Sequence, residues 1–140
     1  MRMLQFWRKL FARATPSNPG GDAERRAADW LCRRGFAIVA RNWRSPRDRR
    51  DELDLVCRDG DVLVFVEVKA RAAAARVPGY HAVDARKKRV LLRATRTYLA
   101  GMSERPHTIR FDVVELVLPA QGEPEILHFE NVPLFPKYWR

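Results

Sequence analysis

Apolar and polar residues follow one another along the chain in segments whose spacing changes from helical to alternating and back. Ala27, Ala28 and Leu31 lie at helical spacing and lead to Gly35, the residue type that best tolerates a left-handed helix cap. The β-branched and aromatic run Phe36 to Trp43 predicts a first strand, and SPRDRR after it a charged loop. Two further strands are expected, Glu52 to Arg58 and Asp61 to Lys69, joined through Asp59-Gly60, a strong two-residue hairpin signal. In the second of them VLVFVEV is apolar on both faces, which places it in the middle of a sheet.

Residues 72 to 80, AAAARVPGY, read as a mobile loop. Val83 to Leu99 reads as a helix with Val83, Val90, Leu91, Ala94 and Tyr98 on one stripe. Two closing strands are expected over Ile109 to Leu118 and Glu125 to Glu130. The whole predicts an α/β or α+β domain, a mixed central β-sheet flanked by helices in the order α-β-β-β-α-β-β, with no internal repeats. TPSNPGG, residues 15 to 21, has linker composition, so 1–21 is expected to be a basic amphipathic extension and linker, and 22–140 a single domain.

Composition agrees with that division. A chain of 140 residues, 46% of them hydrophobic, can bury one core without disulfides. Cys32 and Cys57 lie in apolar runs with no metal-ligand spacing and read as buried free thiols in a reducing, cytoplasmic setting. No stretch approaches the ~20 apolar residues of a membrane span. In MRMLQFWRKLFAR, Arg8 and Lys9 interrupt any signal-peptide core, so a retained amphipathic basic helix is expected there, with anchoring to a membrane surface or partner as an open alternative.

The net charge of +10 gains meaning from its clustering. Arg2, Arg8, Lys9 and Arg13 form one block, Arg41, Arg44, Arg47, Arg49 and Arg50 a second, and Arg86, Lys87, Lys88, Arg89, Arg93 and Arg96 a third, whereas the segment after Phe111 is net acidic. Nucleic acid is the expected partner, against an anionic membrane or simply solvated arginines. Charge alone does not choose DNA over RNA.

The hairpin supplies the candidate chemistry. With Asp59-Gly60 as its loop, Arg58 faces Asp61, Asp54 faces Phe65, and Glu52 faces Glu67. Asp54 then lies diagonal to Glu67, with β-carbons on the order of 7 Å apart, and Lys69 follows on the same side. Glu52 directly opposite Glu67 is a like-charge conflict that a hard divalent cation would remove. Oxygen-only ligands from Asp54, Glu67 and Glu52 favour Mg²⁺ or Mn²⁺ over zinc. A salt-bridged sheet face, with Lys69 paired to Glu67 or Glu52, gives the same pattern, but charged residues ending an otherwise apolar central strand favour a site.

Asp54, twelve intervening residues, and Glu67-Val68-Lys69 resemble the core of the PD-(D/E)xK nuclease superfamily. GDAERRAADWLCRRGFAIVARNWR upstream, ELDLV and VFVEVKAR centrally, and RFDVVELV downstream resemble the uncharacterised YraN-type bacterial family, a distant relative of archaeal Holliday-junction resolvases. The likeness runs from Gly21 to Pro133. It implies a restriction-endonuclease-like fold, Asp54 and Glu67 as metal-binding acids, and Lys69 as the group that orients water and stabilises developing charge. It matches Glu24 to an acid of the first helix that holds a second metal or its water; an acid favoured by the helix dipole is the alternative. Asp51 stands where the family usually has glycine.

The resemblance also places a lysine at Lys87, on the apolar stripe of the long helix, within reach of the sheet edge and a phosphate. Arg86, Arg89, Arg93 and Arg96 form a separate stripe that would track a nucleic-acid backbone or simply be solvated. With Arg44 and Arg71 added, the expected DNA-binding set is Arg44, Arg71, Arg86, Lys87, Arg89 and Arg93. Trp43, Tyr80, Trp139 and the histidines 81, 107 and 128 receive no role, and Asp112 reads as a structural acid, with a place near the site as the alternative. The expected function is a Mg²⁺- or Mn²⁺-dependent endonuclease acting on DNA, with branched or repair intermediates favoured by the family likeness. The alternative is a non-catalytic nucleic-acid-binding protein on the same scaffold, and a symmetric two-strand cut would require a homodimer.

Overall fold

The computed structural model describes residues 19–74 and 84–136. The expected N-terminal helix, most of the 72–80 loop with Tyr80, and His81, Val83 and Trp139 lie outside the described residues.

Helix α1 (Pro19–Arg33) begins three residues before Asp22, taking in the PGG assigned above to the linker. Proline's fixed φ and missing N–H suit a first helical position. At the other end Gly35 takes a φ of 93°. Its N–H donates to the Cys32 carbonyl and the Phe36 N–H to the Leu31 carbonyl, both at about 3.1 Å, so two otherwise open carbonyls are satisfied and the chain turns back into the sheet.

Strands β1 (Ala37–Arg44), β2 (Glu52–Asp59) and β3 (Val62–Ala72) follow, then helix α2 (Ala85–Ala100) and strands β4 (Thr108–Leu118) and β5 (Glu125–Phe129). The five strands form one sheet in sequence order. β3 and β4 are parallel and every other neighbouring pair is antiparallel. A parallel pair needs a crossover, and α2 lies within it. This element order and mixed sheet agree with the restriction-endonuclease-like arrangement.

The two helices cover opposite faces. Ala23, Ala27, Ala28 and Leu31 of α1 pack with Leu55, Cys57, Val64, Val66, Val114 and Leu116. Leu91, Ala94 and Leu99 of α2 pack with Leu53, Val56, Leu63, Phe65, Phe111 and Val113. β3 therefore divides its side chains between two cores, as its unbroken apolar run requires. Tyr98 fixes α2 by standing edge-on to Trp43 and Phe65, with ring centroids 5.3 and 5.8 Å away.

The hairpin register differs from the expectation. Asp59 pairs with Val62 and Leu55 with Val66, so the two-residue loop is Gly60-Asp61. Gly60 has a φ of 58°, whereas Asp61 is absent from the positive-φ residues. A positive φ at the first loop position alone is the glycine-first hairpin turn, in place of the Asp-Gly turn that needs positive φ at both. The slip keeps Leu55, Val56 and Cys57 on their expected faces and sets Asp54, rather than Glu52, level with Glu67, whereas Leu53 joins Val56 in the α2 core against strict alternation.

Candidate active site

The site lies where β2 begins and β3 nears its end. By strand alternation Glu67, Lys69 and Arg71 continue the face that carries Leu63 and Phe65, under α2. Glu67 is 2% exposed, a costly place for a carboxylate unless it is paired. Its Oε1 lies 3.3 Å from Lys69 Nζ and 3.2 Å from Lys87 Nζ. Its Oε2 is buried and has no hydrogen-bond partner among the described residues.

Regular pairing between β2 and β3 ends at Leu55 and Val66. Beyond it the Asp54 carboxylate takes over a strand's role, Oδ2 accepting the Val68 N–H at 2.8 Å. That bond fixes the carboxylate and favours its charged form, yet burial and the neighbouring Glu67 prevail and push its pKa from 3.8 up to about 7. Two buried acids thus face one region with less positive charge than they need.

Glu24 falls on the apolar stripe of α1, between Ala23 and Ala27, and is half-buried. Burial raises its pKa, a hydrogen bond from the Asn42 side chain opposes this, and Glu52 and Glu67 raise it further. Asn42 was not anticipated as a site residue. It sits in β1 between Arg41, which pairs with Leu55, and Trp43, which pairs with Leu53, and so lies level with Asp54. Its φ of 47° is a left-handed conformation held within a strand, which asparagine tolerates better than other non-glycine residues. The available signal was an asparagine inside a β-branched and aromatic run.

The expected clash between Glu52 and Glu67 does not occur. Glu52 pairs across β1–β2 with Arg44, whose Nη2 is 3.3 Å away. The like-charged acids left for a cation to bridge are therefore Asp54 and Glu67.

Several of the expected DNA-binding residues are committed to acids. Arg93 grips Asp51 through Nε and Nη2, both at 2.6 Å, and Asp51 is 2% exposed. This ties the charged loop to α2; the loop is also closed by Asp51 N–H to Asp48 and Ser45 N–H to Asp51 backbone bonds of 2.9 Å. Arg71 pairs with the fully buried Glu115 of β4. Lys87 reaches the sheet as expected, with Glu67 as its partner. Arg86 and Arg89 are exposed on the same turn of α2.

Asp112 lies in a separate, fully buried network, as the structural reading expected. It accepts from Arg110 through Nε and Nη2 (2.8 and 2.9 Å) and from the Asn131 N–H (2.9 Å), with His128 Nε2 at 2.7 Å. The thiols divide. Cys57 is buried, with its pKa pushed up to about 12 by desolvation, whereas Cys32 is exposed, contrary to expectation. Cys32 lies beyond the edge of the stripe that Ala23, Ala27 and Leu31 press onto the sheet.

The donor set decides which ion would fit. Among the described residues no three Asp, Glu, His or Cys side chains form a ready metal cage. An open buried oxygen on Glu67 beside the Asp54 carboxylate suits instead an ion that binds through one or two carboxylates and keeps its remaining positions for water and phosphate, the habit of Mg²⁺. Among the described residues no helix is long and apolar enough to cross a membrane.

A family model described as "Uncharacterised protein family UPF0102" matches residues 23–116, a span that contains Glu24, Asn42, Asp54, Glu67, Lys69, Lys87 and Glu115. A UPF0102 protein of Anaeromyxobacter dehalogenans is 44% identical over 110 residues, 79% of either chain. Another, from Chromohalobacter salexigens, is 43% identical over 113 residues, 79% of this chain and 84% of its own. A third, from Chlorobium limicola, is 31% identical over 124 residues, 89% of this chain and 94% of its own. Match and relatives agree with the bacterial family expected from the motifs, and the chain belongs to the uncharacterised protein family UPF0102.

Proposed function

We propose that this protein is a Mg²⁺- or Mn²⁺-dependent nuclease, an endonuclease that hydrolyses DNA phosphodiesters. The observation that carries the reading is the buried, unpartnered Oε2 of Glu67 beside a second buried acid, Asp54, with the Lys69 ammonium alongside. Asp54 and Glu67 would hold the cation. Bound there, it would supply positive charge at the scissile phosphate and favour deprotonation of the attacking water.

The chain's own residues do the rest. The Val68 N–H holds the Asp54 carboxylate in a fixed orientation. Lys69, anchored on Glu67, keeps an ammonium beside the acids, where it orients the attacking water and stabilises the charge that develops on the phosphate. Glu24, held by Asn42, extends the acidic set from α1. Exposed Arg86 and Arg89 offer phosphate contacts that position a backbone without reading sequence. The spacing of Asp54, Glu67 and Lys69 resembles PD-(D/E)xK nucleases and supports the same reaction. Branched DNA as substrate and a homodimer rest on family analogy alone.

The two lysines on Glu67 Oε1 favour a second reading, a nucleic-acid-binding protein whose acids are already neutralised. Labelled linear, flap and four-way junction DNA, incubated with Mg²⁺, Mn²⁺ or EDTA, separates the two. The nuclease reading expects metal-dependent cleavage that Asp54→Ala and Lys69→Ala both abolish. Binding without cleavage under any metal, or cleavage indifferent to both substitutions, refutes it.

A further inference from the structure

Glu67 is the ion-pair partner of two lysines. Lys69 and Lys87 share its Oε1. The two arrive differently. Lys69 is part of the same strand, two residues on, with its side chain 31% exposed. Lys87 reaches in from the first turn of α2, with its side chain 30% exposed.

Its position there does not serve the helix. The first turn of α2 carries Arg86, Lys87 and Lys88 and no acid, although cations at this end oppose the helix dipole. Asp84 caps the turn by accepting the Lys87 backbone N–H at 2.8 Å, which fixes the Lys87 backbone and leaves its side chain free to change partners. Burial works against the Lys87 charge, but Glu67, with Asp54 and Glu52, outweighs it and holds the pKa above its ordinary value. In every respect the ammonium serves as counter-ion to the acids that a metal would bind.

We propose that Lys87 is an exchangeable counter-ion: it neutralises Glu67 in the metal-free protein and, when a divalent cation takes that role, moves to a phosphate of the bound nucleic acid. The inference rests on the metal-site reading above and adds a coupling to it. Loading of the acids releases a phosphate-binding cation, so metal and nucleic acid each strengthen the other's binding.

The test uses the full chain and two single substitutions on the same helical turn, Lys87→Met and Lys88→Met. Each removes one positive charge, but Lys88 is exposed and does not touch Glu67. Mn²⁺ binding is measured by titration calorimetry without DNA, and affinity for a short labelled duplex by anisotropy with and without Ca²⁺. Removing the competing ammonium is expected to tighten Mn²⁺ binding about 5-fold in Lys87→Met, beyond any change in Lys88→Met. The gain in DNA affinity on adding Ca²⁺ is expected to shrink in Lys87→Met and persist in Lys88→Met. Equal Mn²⁺ affinities in the two variants, or a full Ca²⁺-dependent gain in Lys87→Met, overturns the exchange and leaves the metal site standing. Absence of Mn²⁺ binding in the unsubstituted protein overturns both.

Discussion

Replacing Asp54 by asparagine is expected to make the metal-free protein more stable, the reverse of what removing a structural acid does. Asp54 is 8% exposed, and burial together with Glu67 pushes its carboxyl from 3.8 up to about 7. At about pH 8 the native state must therefore hold a charge that the unfolded chain carries freely, a cost of up to ~4 kcal/mol at ~1.4 kcal/mol per pKa unit. Lys87 and water reaching the site reduce this, so ~1–3 kcal/mol is recoverable. Asparagine keeps an oxygen for the Val68 N–H and places no charge beside Glu67. For a domain of this size the gain corresponds to a rise in Tm of roughly 4–12 °C. The sign with pH follows from linkage. Because the folded pKa lies above the unfolded one, the native state binds more protons between about pH 4 and 7, and its stability falls as pH rises through that window. The advantage of Asp54→Asn is thus near zero at about pH 4 and complete at about pH 8. Thermal melts in EDTA across this range measure it, and adding Mn²⁺ at about pH 8 should raise the Tm of the unsubstituted protein and not of the variant. A variant less stable at about pH 8, or a difference indifferent to pH, refutes the reading of Asp54 as an acid strained by its neighbours.

Two further expectations concern the supports of the site. Arg93→Ala leaves Asp51 buried without its guanidinium and should lower stability; in a double-mutant cycle by denaturant melts, Asp51→Ala should recover part of the loss, and simple additivity would refute the clamp. Asp112 has its pKa lowered because, although burial raises it, the bonds from His128, Arg110 and the Asn131 N–H prevail. Its contribution is present above the ordinary carboxylate pKa of 3.8 and is lost as pH falls through the lower folded value, so acid unfolding should begin there. Asp112→Ala should cost ~3 kcal/mol near neutrality by removing the buried acceptor of Arg110 Nε and Nη2 and of the Asn131 N–H and the partner of His128, with only Asp59, 3.1 Å from Nη1, left to Arg110; a loss under ~1 kcal/mol would refute that role.

Period and chemistry together made much of this protein legible in its sequence. The apolar run of β3 specified a strand buried on both faces, because no other position hides both sets of side chains. Gly35 marked the end of α1 because few other residues take its φ. Asp54, Glu67 and Lys69 stood out because charge at the end of such a strand is costly unless it is used.

Partners were the part that the tertiary structure decided. The hairpin register depends on which loop position carries the positive φ, and that single choice moved Asp54 level with Glu67 and left Glu52 to Arg44. Arg93 on Asp51 and Arg71 on Glu115 join residues far apart in the chain, and one-dimensional spacing carries no signal for either. The left-handed Asn42, the unpartnered Glu67 Oε2 and the choice of Glu67 as partner of Lys87 likewise exist only once sheet and helices are assembled. Local sequence sets the conformation and outward or inward face of each element, since those follow from backbone sterics and burial. Which charge meets which depends on distances between elements, and those are fixed only when both cores close.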